Sequence, residues 1–337
     1  MSFSRLVADD FVVSADSITA GLWTDSSTPT ITTFYTSSTQ AAGSSGNYYL
    51  NVYSDSGLTS LEFAVTYANQ YGSGSEEYNS AVPGKSPSST IYGSYRTLVL
   101  GDENSGFVFG GISSSDFWAI SIDRNRYKES LFPGSTTLTL TNGSDTISLT
   151  DNSQAVTTVQ FNDAGRVFDL VSGSAGAVYT DLNSNGYSLS SGSYGWFLPD
   201  IATYIINPRA LSSNAAGGGI GLSPTTTPNT DGNNPWKLIK TIETGASFTA
   251  NSQETITSDF VFVRPRSSEY NYSENPSFIS GSTGEVLYSS FINNPTTYIT
   301  TVGLYNDTNE LLAVAKLSKP LKKDFTKEAL VRVKLDF

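Results

Sequence analysis

Neither cysteine nor histidine occurs anywhere in the 337 residues. That double absence removes thiolate nucleophiles, thiolate or imidazole zinc sites, Ser-His-Asp triads and imidazole general bases together. It also leaves no disulfide framework, so packing and sheet hydrogen bonds must hold the fold. Long apolar runs are missing as well. Stretches such as Phe260 to Val263 and Leu311 to Ala315 fall far short of the roughly 20 residues a membrane helix needs. The opening Met-Ser-Phe-Ser-Arg-Leu lacks the basic segment and apolar stretch of a secretory signal, so the expectation is a soluble chain made in the cytoplasm, without a membrane partner. Basic residues are scarce: 19 against 31 acidic ones give a net charge of −12. Phosphate-driven binding has no electrostatic support on such a chain, and nucleic acid is not an expected partner.

What is present points to strands. Hydrophobic residues make up 38% and aromatics 12%, and the gaps between apolar runs are crowded with Gly, Ser, Thr and Asn. Leu61, Phe63, Val65 and Tyr67 alternate with Glu62, Ala64, Thr66 and Ala68, the pattern of a half-buried strand. Trp118, Ile120 and Ile122 share a side in the next such segment, followed by a turn signal at Pro133-Gly134. Asn142-Gly143 suits a tight hairpin, so residues 115 to 162 are expected to form consecutive antiparallel strands. Further strands are expected at Thr255 to Val263, Tyr298 to Tyr305 and Leu311 to Leu317, the last two joined by a turn at Asn306 to Asn309. The chain ends with Val331, Val333, Leu335 and Phe337 on one face and Arg332, Lys334 and Asp336 on the other, which predicts a terminus tied into a sheet.

The expected class is mainly β: antiparallel β-sandwich or meander domains with long polar loops. Composition divides the chain into a β-rich domain over residues 1–164, a Gly-, Ser-, Asn- and Pro-rich elaborated loop region over 165–240, and a C-terminal β domain over 241–337. No solenoid or propeller repeat and no sustained heptad is present, which disfavours a β-helical spike or a coiled-coil shaft.

The motifs that could carry chemistry are weak. Asp181 to Gly186 spells the opening of a calcium loop, but position twelve is Gly192 where a bidentate Glu is required, and an Asx-rich turn explains the same residues. Gly72-Ser-Gly74 and Gly217 to Gly221 lack the Lys-Ser/Thr that follows a phosphate-cradling loop. Adjacent carboxylates occur at Asp9-Asp10, Glu76-Glu77 and Asp102-Glu103; two acids alone could hydrolyse a glycoside, but each pair borders a turn-like, solvated stretch. No cofactor, metal or catalytic residue is assigned, and the chain is not expected to be an enzyme.

Charge is uneven. Residues 316–337 carry seven basic side chains, Lys316, Lys319, Lys322, Lys323, Lys327, Arg332 and Lys334, against three acidic ones, a net +4 that leaves −16 on the remainder. These seven are the candidate assembly interface, docking onto an acidic neighbour; the alternative is a solvated terminus that touches nothing.

Two pairs of stretches carry a resemblance. Ser89-Thr-Ile-Tyr-Gly-Ser-Tyr-Arg-Thr-Leu-Val-Leu100 and Phe117-Trp-Ala-Ile-Ser-Ile-Asp-Arg-Asn-Arg-Tyr-Lys-Glu-Ser-Leu-Phe-Pro-Gly134 form the first. Asn293-Asn-Pro-Thr-Thr-Tyr-Ile-Thr-Thr-Val-Gly-Leu-Tyr-Asn-Asp307 with Glu310-Leu-Leu-Ala-Val-Ala-Lys-Leu-Ser-Lys-Pro-Leu-Lys-Lys323 form the second. Both resemble virion structural proteins of T4-like contractile-tailed phages, especially those of cyanobacteria, and the second is similar to modules of tail, baseplate and fibre-attachment proteins. The resemblance leaves residues 165–250 uncovered and brings no catalytic residues. It implies a tail, baseplate or neck component of the virion, assembled in the host cytoplasm, whose partners are other virion proteins and copies of itself. Two rivals stand beside it: a receptor-binding module whose loops in 165–235 contact host glycan, and a polysaccharide hydrolase using two carboxylates.

Overall fold

The computed structural model describes residues 11–21, 35–36, 49–75, 86–179, 194–226, 233–245, 247–272 and 276–336. The protein is mainly β and its sheets are antiparallel, as expected. In chain order, β1 (Phe11–Gly21), β2 (Tyr35–Thr36), β3 (Leu50–Tyr53) and β4 (Leu61–Asn69) precede helix α1 (Pro87–Leu100). There follow β5 (Phe107–Phe109), β6 (Ile112–Ser114), β7 (Asp116–Ile122), β8 (Ser130–Leu131), β9 (Thr137–Asn142), β10 (Asp145–Asp151), β11 (Gln160–Asn162), β12 (Gly165–Ser174) and β13 (Ala177–Val178). Next come β14 (Gly195–Leu198), β15 (Thr203–Ile206), α2 (Pro208–Ser212), α3 (Asn234–Gly245), β16 (Phe248–Thr249) and β17 (Asn251–Val263). The chain closes with α4 (Ser289–Asn293), β18 (Thr296–Tyr305), β19 (Leu311–Asp324) and β20 (Val331–Asp336).

Two compact units share these elements, Ile18–Glu254 on the one hand and Met1–Ser17 with Thr255–Phe337 on the other. The first unit is built on a twelve-stranded sheet in the order β16-β9-β10-β12-β14-β15-β7-β4-β3-β2, with β11 and β13 also pairing with β12. Its central strands are covered on both faces. Along β7, Trp118, Ile120 and Ile122 enter one apolar cluster, whereas Phe117 and Ala119 enter another. β15 repeats the division, sending Tyr204 and Ile206 one way and Ile205 the other. The larger cluster is closed by α3 through Leu238, Ile239 and Ile242. The smaller is closed by α1 through Ile91, Tyr92, Tyr95 and Val99 and by Phe107 and Phe109 of the β5–β6 hairpin. Pro87 opens α1 where a missing N–H costs nothing, and Gly101, at φ +64°, ends it in the left-handed conformation that glycine adopts freely.

This two-sided cover corrects the expectation of a half-buried β4, whose second face also holds the buried Glu62, Thr66 and Ala68. Glu62 reaches Arg126 at 2.7 Å, and burial holds its carboxyl above the usual range. The hairpin at Asn142-Gly143 forms, with Asn142 still in register opposite Asp145 and Gly143 the first of the two loop residues. The expected run of consecutive strands over residues 115 to 162 does not extend beyond it. β7 lies between β4 and β15, and β11 pairs with β12. Residues 165–240, expected to be an elaborated loop, contribute β12, β14 and β15 to the middle of the sheet. Several of their glycines sit at close backbone approaches: a Cβ on Gly195, at φ +134°, would meet the carbonyl oxygen of Ile205 at 1.9 Å.

In the second unit, β17 lies between β1 and β20, and the pairing of Val261 with Val333 and Val263 with Val331 ties the C-terminal strand into a sheet as expected. Val331 and Val333 are buried and Leu335 is partly so, while Phe337 lies outside the described residues. β18 and β19 form a separate two-stranded hairpin, the expected pair, with β19 a strand rather than a helix. Among the described residues, neither apolar cluster includes any side chain beyond Ala250.

Phe117 is fully buried, its ring 4.7 Å from that of Phe107 and 5.6 Å from that of Tyr95. Phe117→Ala is expected to cost about 3–5 kcal/mol by removing the centre of the smaller cluster. Urea unfolding followed by tryptophan fluorescence checks this, because all four tryptophans fall within Ile18–Glu254.

Candidate functional site

Carboxylates were the candidate acid–base groups weighed in the sequence, and several of those described serve local structure. Asp102 bends its own turn by accepting the Ser105 hydroxyl and the N–H groups of Asn104 at 2.7 Å and Ser105 at 3.2 Å, and the Ser105 hydroxyl first, then these N–H groups, hold its pKa low. Asp151 is fully buried and accepts the Gly134 N–H at 2.9 Å, fixing the turn predicted at Pro133-Gly134; burial raises its pKa. Asp116, also raised by burial, accepts from the Tyr67 hydroxyl at 2.8 Å. Asp9-Asp10, Glu76-Glu77 and the calcium-like run Asp181 to Gly186 with Gly192 lie outside the described residues. Among the described residues no group of three or more acidic side chains is placed to hold a metal ion, and no helix is long and apolar enough to cross a membrane.

The glycine pairs serve the backbone. Gly74 has φ +75°, and a Cβ there would meet the Thr225 carbonyl oxygen at 2.6 Å and the Asn234 amide at 2.7 Å. The Asn234 amide instead donates to the carbonyls of Gly74 and Thr225, joining two distant loops. Beside them lies a recess lined by Tyr67, Gly74, Ser75, Pro87, Ser88 and Ile91.

The candidate interface residues have different environments. Lys323 is buried, and its ammonium donates to the Ser267 carbonyl at 3.1 Å, Asn271 Oδ1 at 2.8 Å and the Asp324 carbonyl at 3.2 Å. Asn271 in turn donates to the Ser267 carbonyl at 2.6 Å. All three ammonium protons are thus used to pin the 267–271 turn to the base of β19, and Lys323 is not presented at the surface. Burial lowers its pKa, opposed by Asp324 and Glu269. Arg332 and Lys334 are exposed on β20, with the guanidinium 5.6 Å and the ammonium 6.0 Å from the centre of the Phe260 ring. Lys334 also pairs with Asp336 at 2.9 Å, and Lys322 with Asp324 at 3.4 Å. Lys316, Lys319 and Lys327 are exposed with no ion-pair partner among the described residues.

Comparison with protein-family models, with curated proteins and with solved structures finds no match. The surface itself therefore carries the functional argument.

Beside the unpaired lysines lies an apolar surface that the charge pattern in the sequence did not reveal. Leu312 is 68% exposed, Tyr298 62% and Val314 58%, all on the β18–β19 hairpin. Leu330, Phe325, Tyr288 and Ile292 of the same unit are also exposed. The available signal was Leu311 to Ala315, where five apolar residues run without a polar break and so place apolar groups on both faces. The glycan-contact expectation for 165–235 fares differently: Trp196 packs at 5.0 Å on Phe109, and residues 180–193 and 227–232 lie outside the described residues.

Lys323→Ala leaves buried acceptors without a donor, so a local loss of about 1–3 kcal/mol is expected, read as faster amide exchange over residues 267–272. Asp324 is held at about 2 by hydrogen bonds from the Thr326 hydroxyl and N–H and by Lys322. A depressed carboxyl contributes stability that is present above its ordinary pKa and is lost as pH falls through the folded value. Amide exchange around residues 322–328 should therefore speed up as pH drops from about 4 toward 2 after correction for intrinsic rates, and Asp324→Asn should flatten that dependence.

Proposed function

We propose that this chain is a non-enzymatic structural component of a tailed-phage virion, of the tail, baseplate or neck type, acting by protein–protein assembly. The observation that supports this most is the second unit's imbalance. Over Thr255–Phe337 the buried apolar side chains described are Ala329, Val331 and Val333, while the hairpin exposes large ones on both faces. A two-stranded hairpin is marginal in water by itself, and a clustered apolar surface marks an interaction site. The partners this reading calls for are other virion proteins and copies of the chain, with an acidic surface opposite Lys316, Lys319 and Lys327.

The sequence resemblance supports the same reading, since its second pair of stretches, Asn293 to Asp307 and Glu310 to Lys323, spans the β18–β19 hairpin. The exposed tyrosines Tyr270, Tyr272, Tyr288 and Tyr298 favour a second reading, in which this unit stacks on host glycan at the virion surface.

Phage particles assembled with the triple variant Lys316→Glu, Lys319→Glu, Lys327→Glu should incorporate about tenfold less of the chain, the effect of roughly 1.4 kcal/mol lost at an interface. Quantitative mass spectrometry of purified particles reads this, with circular dichroism of the free variant confirming that it folds. Wild-type incorporation of the variant would overturn the role given to these lysines, and absence of the wild-type chain from particles would overturn the virion reading. Binding of the free chain to host cells but not to particle proteins would favour the glycan reading.

A further inference from the structure

The hairpin has two edges, and they are built differently. β19 reads LLAVAKLSKPLKKD, with Lys316, Lys319 and Lys322 exposed along it and Pro320 removing one backbone donor where the register against β18 breaks between Lys316 and Leu321. Lysine and proline on an edge strand are the ordinary means of preventing a neighbour from pairing there. β18 reads TTYITTVGLY: no charge, no proline, and a composition of β-branched and aromatic residues. Among the described residues it pairs with β19 alone, which leaves the backbone groups of its other edge without a strand between Tyr298 and Leu304.

We propose that β18 is the edge through which two copies of this chain join, antiparallel, about a two-fold axis normal to the hairpin sheet. This inference deepens the assembly reading by naming the first partner of that surface. Charge selects the occupant. Two β18 strands side by side bring no charged side chain within reach of another, and their threonines Thr300 and Thr301 supply cross-strand partners. The alternative pairing of β19 with β19 would set Lys316, Lys319 and Lys322 of one copy against those of the other. With β18 strands at the centre, the two β19 strands stand about 14 Å apart, three spacings of roughly 4.8 Å. That exceeds the Debye length of about 8 Å at physiological ionic strength, so their lysines do not oppose the pairing. An axis normal to the sheet also keeps the same face of both hairpins on one side. The half-exposed Val302, Leu304, Ala313 and Ala315 of the two copies then form one continuous apolar strip on a four-stranded sheet.

The absence of cysteine makes the test clean. Single variants Thr300→Cys, Thr301→Cys and Val302→Cys of the full chain place a thiol near the axis, and mild oxidation should join the copies at one or more of these positions, where Cβ atoms come within disulfide reach. Ser318→Cys on β19, equally exposed, should not cross-link. By analytical ultracentrifugation the wild-type chain should sediment at twice its 36.0 kDa mass at micromolar concentration. Thr300→Lys with Thr301→Lys, both at exposed positions, should weaken that dimer about tenfold or more through like-charge opposition. A monomeric wild-type chain, no cross-link at any of the three β18 positions, or a dimer that tolerates the double lysine variant would overturn the proposal. Dimers that stay out of particles would remove the virion reading and leave this inference standing. Chains incorporated into particles without the β18 cross-link would do the reverse.

Discussion

Burial of alternate side chains on opposite faces of β7 is the constraint on which the first unit depends. Trp118, Ile120 and Ile122 on one side and Phe117 and Ala119 on the other commit the strand to the interior of a layered structure, so neither face can be left to water. Everything adjacent follows from that commitment. β4 and β15 must flank β7, because only a paired strand satisfies backbone groups at that depth. α1 and the β5–β6 hairpin must cover the side that the larger cluster does not reach. Asp116, at the start of β7, is carried inside and takes the Tyr67 hydroxyl as its donor.

Among the described residues, the second unit shows no such commitment. β20 alternates, with Val331 and Val333 inward and Arg332 and Lys334 outward, whereas Phe260 to Val263 of β17, paired with it, are all only partly buried. The hairpin goes further from self-sufficiency, since Leu311 to Ala315 puts apolar groups on both faces and, among the described residues, neither face is fully covered. Hydrophobic surface left in water disfavours the free state and so favours any arrangement that covers it. The same feature that weakens this unit as an isolated fold is therefore the one on which the proposed association rests.

How much of this was legible depended on whether a segment's periodicity matched the side that became covered. β7, β9, β10, β18, β19 and β20 were legible because apolar residues alternate or run between clear turn residues. α1 was not read as a helix: its Ser- and Thr-rich start and the Thr97 to Leu100 run suit a strand, although Pro87, Gly101 and the 91, 92, 95, 99 spacing of its buried residues mark a helix. α3 was hidden in the same way inside a polar region, despite Leu238, Ile239 and Ile242 at helical spacing. The strands β12, β14 and β15 were lost to composition, because Gly165, Gly173 and Gly195 read as loop residues when each is a place where no Cβ fits. In the candidate interface, net charge was legible and its division was not, since only a structure distinguishes the buried Lys323 from the unpaired Lys316.

That division changes what the basic segment is for. A tail held to an acidic neighbour by charge alone would be weak and salt-sensitive, because exposed ion pairs contribute little and are screened within about a nanometre. Here one lysine is spent on internal hydrogen bonds, two others pair with Asp324 and Asp336, and Arg332 and Lys334 lie over Phe260. What remains without an ion-pair partner among the described residues, Lys316 and Lys319 on β19 and Lys327 just beyond it, belongs to the same unit as the exposed Leu312, Val314 and Tyr298. In the proposed assembly the apolar groups would supply the affinity, while the charges would decide which edge stays closed and which neighbour is accepted. Under that proposal the lysines of β19 set orientation rather than supply the attraction, and an uncharged β18 beside them is the side that this orientation leaves open.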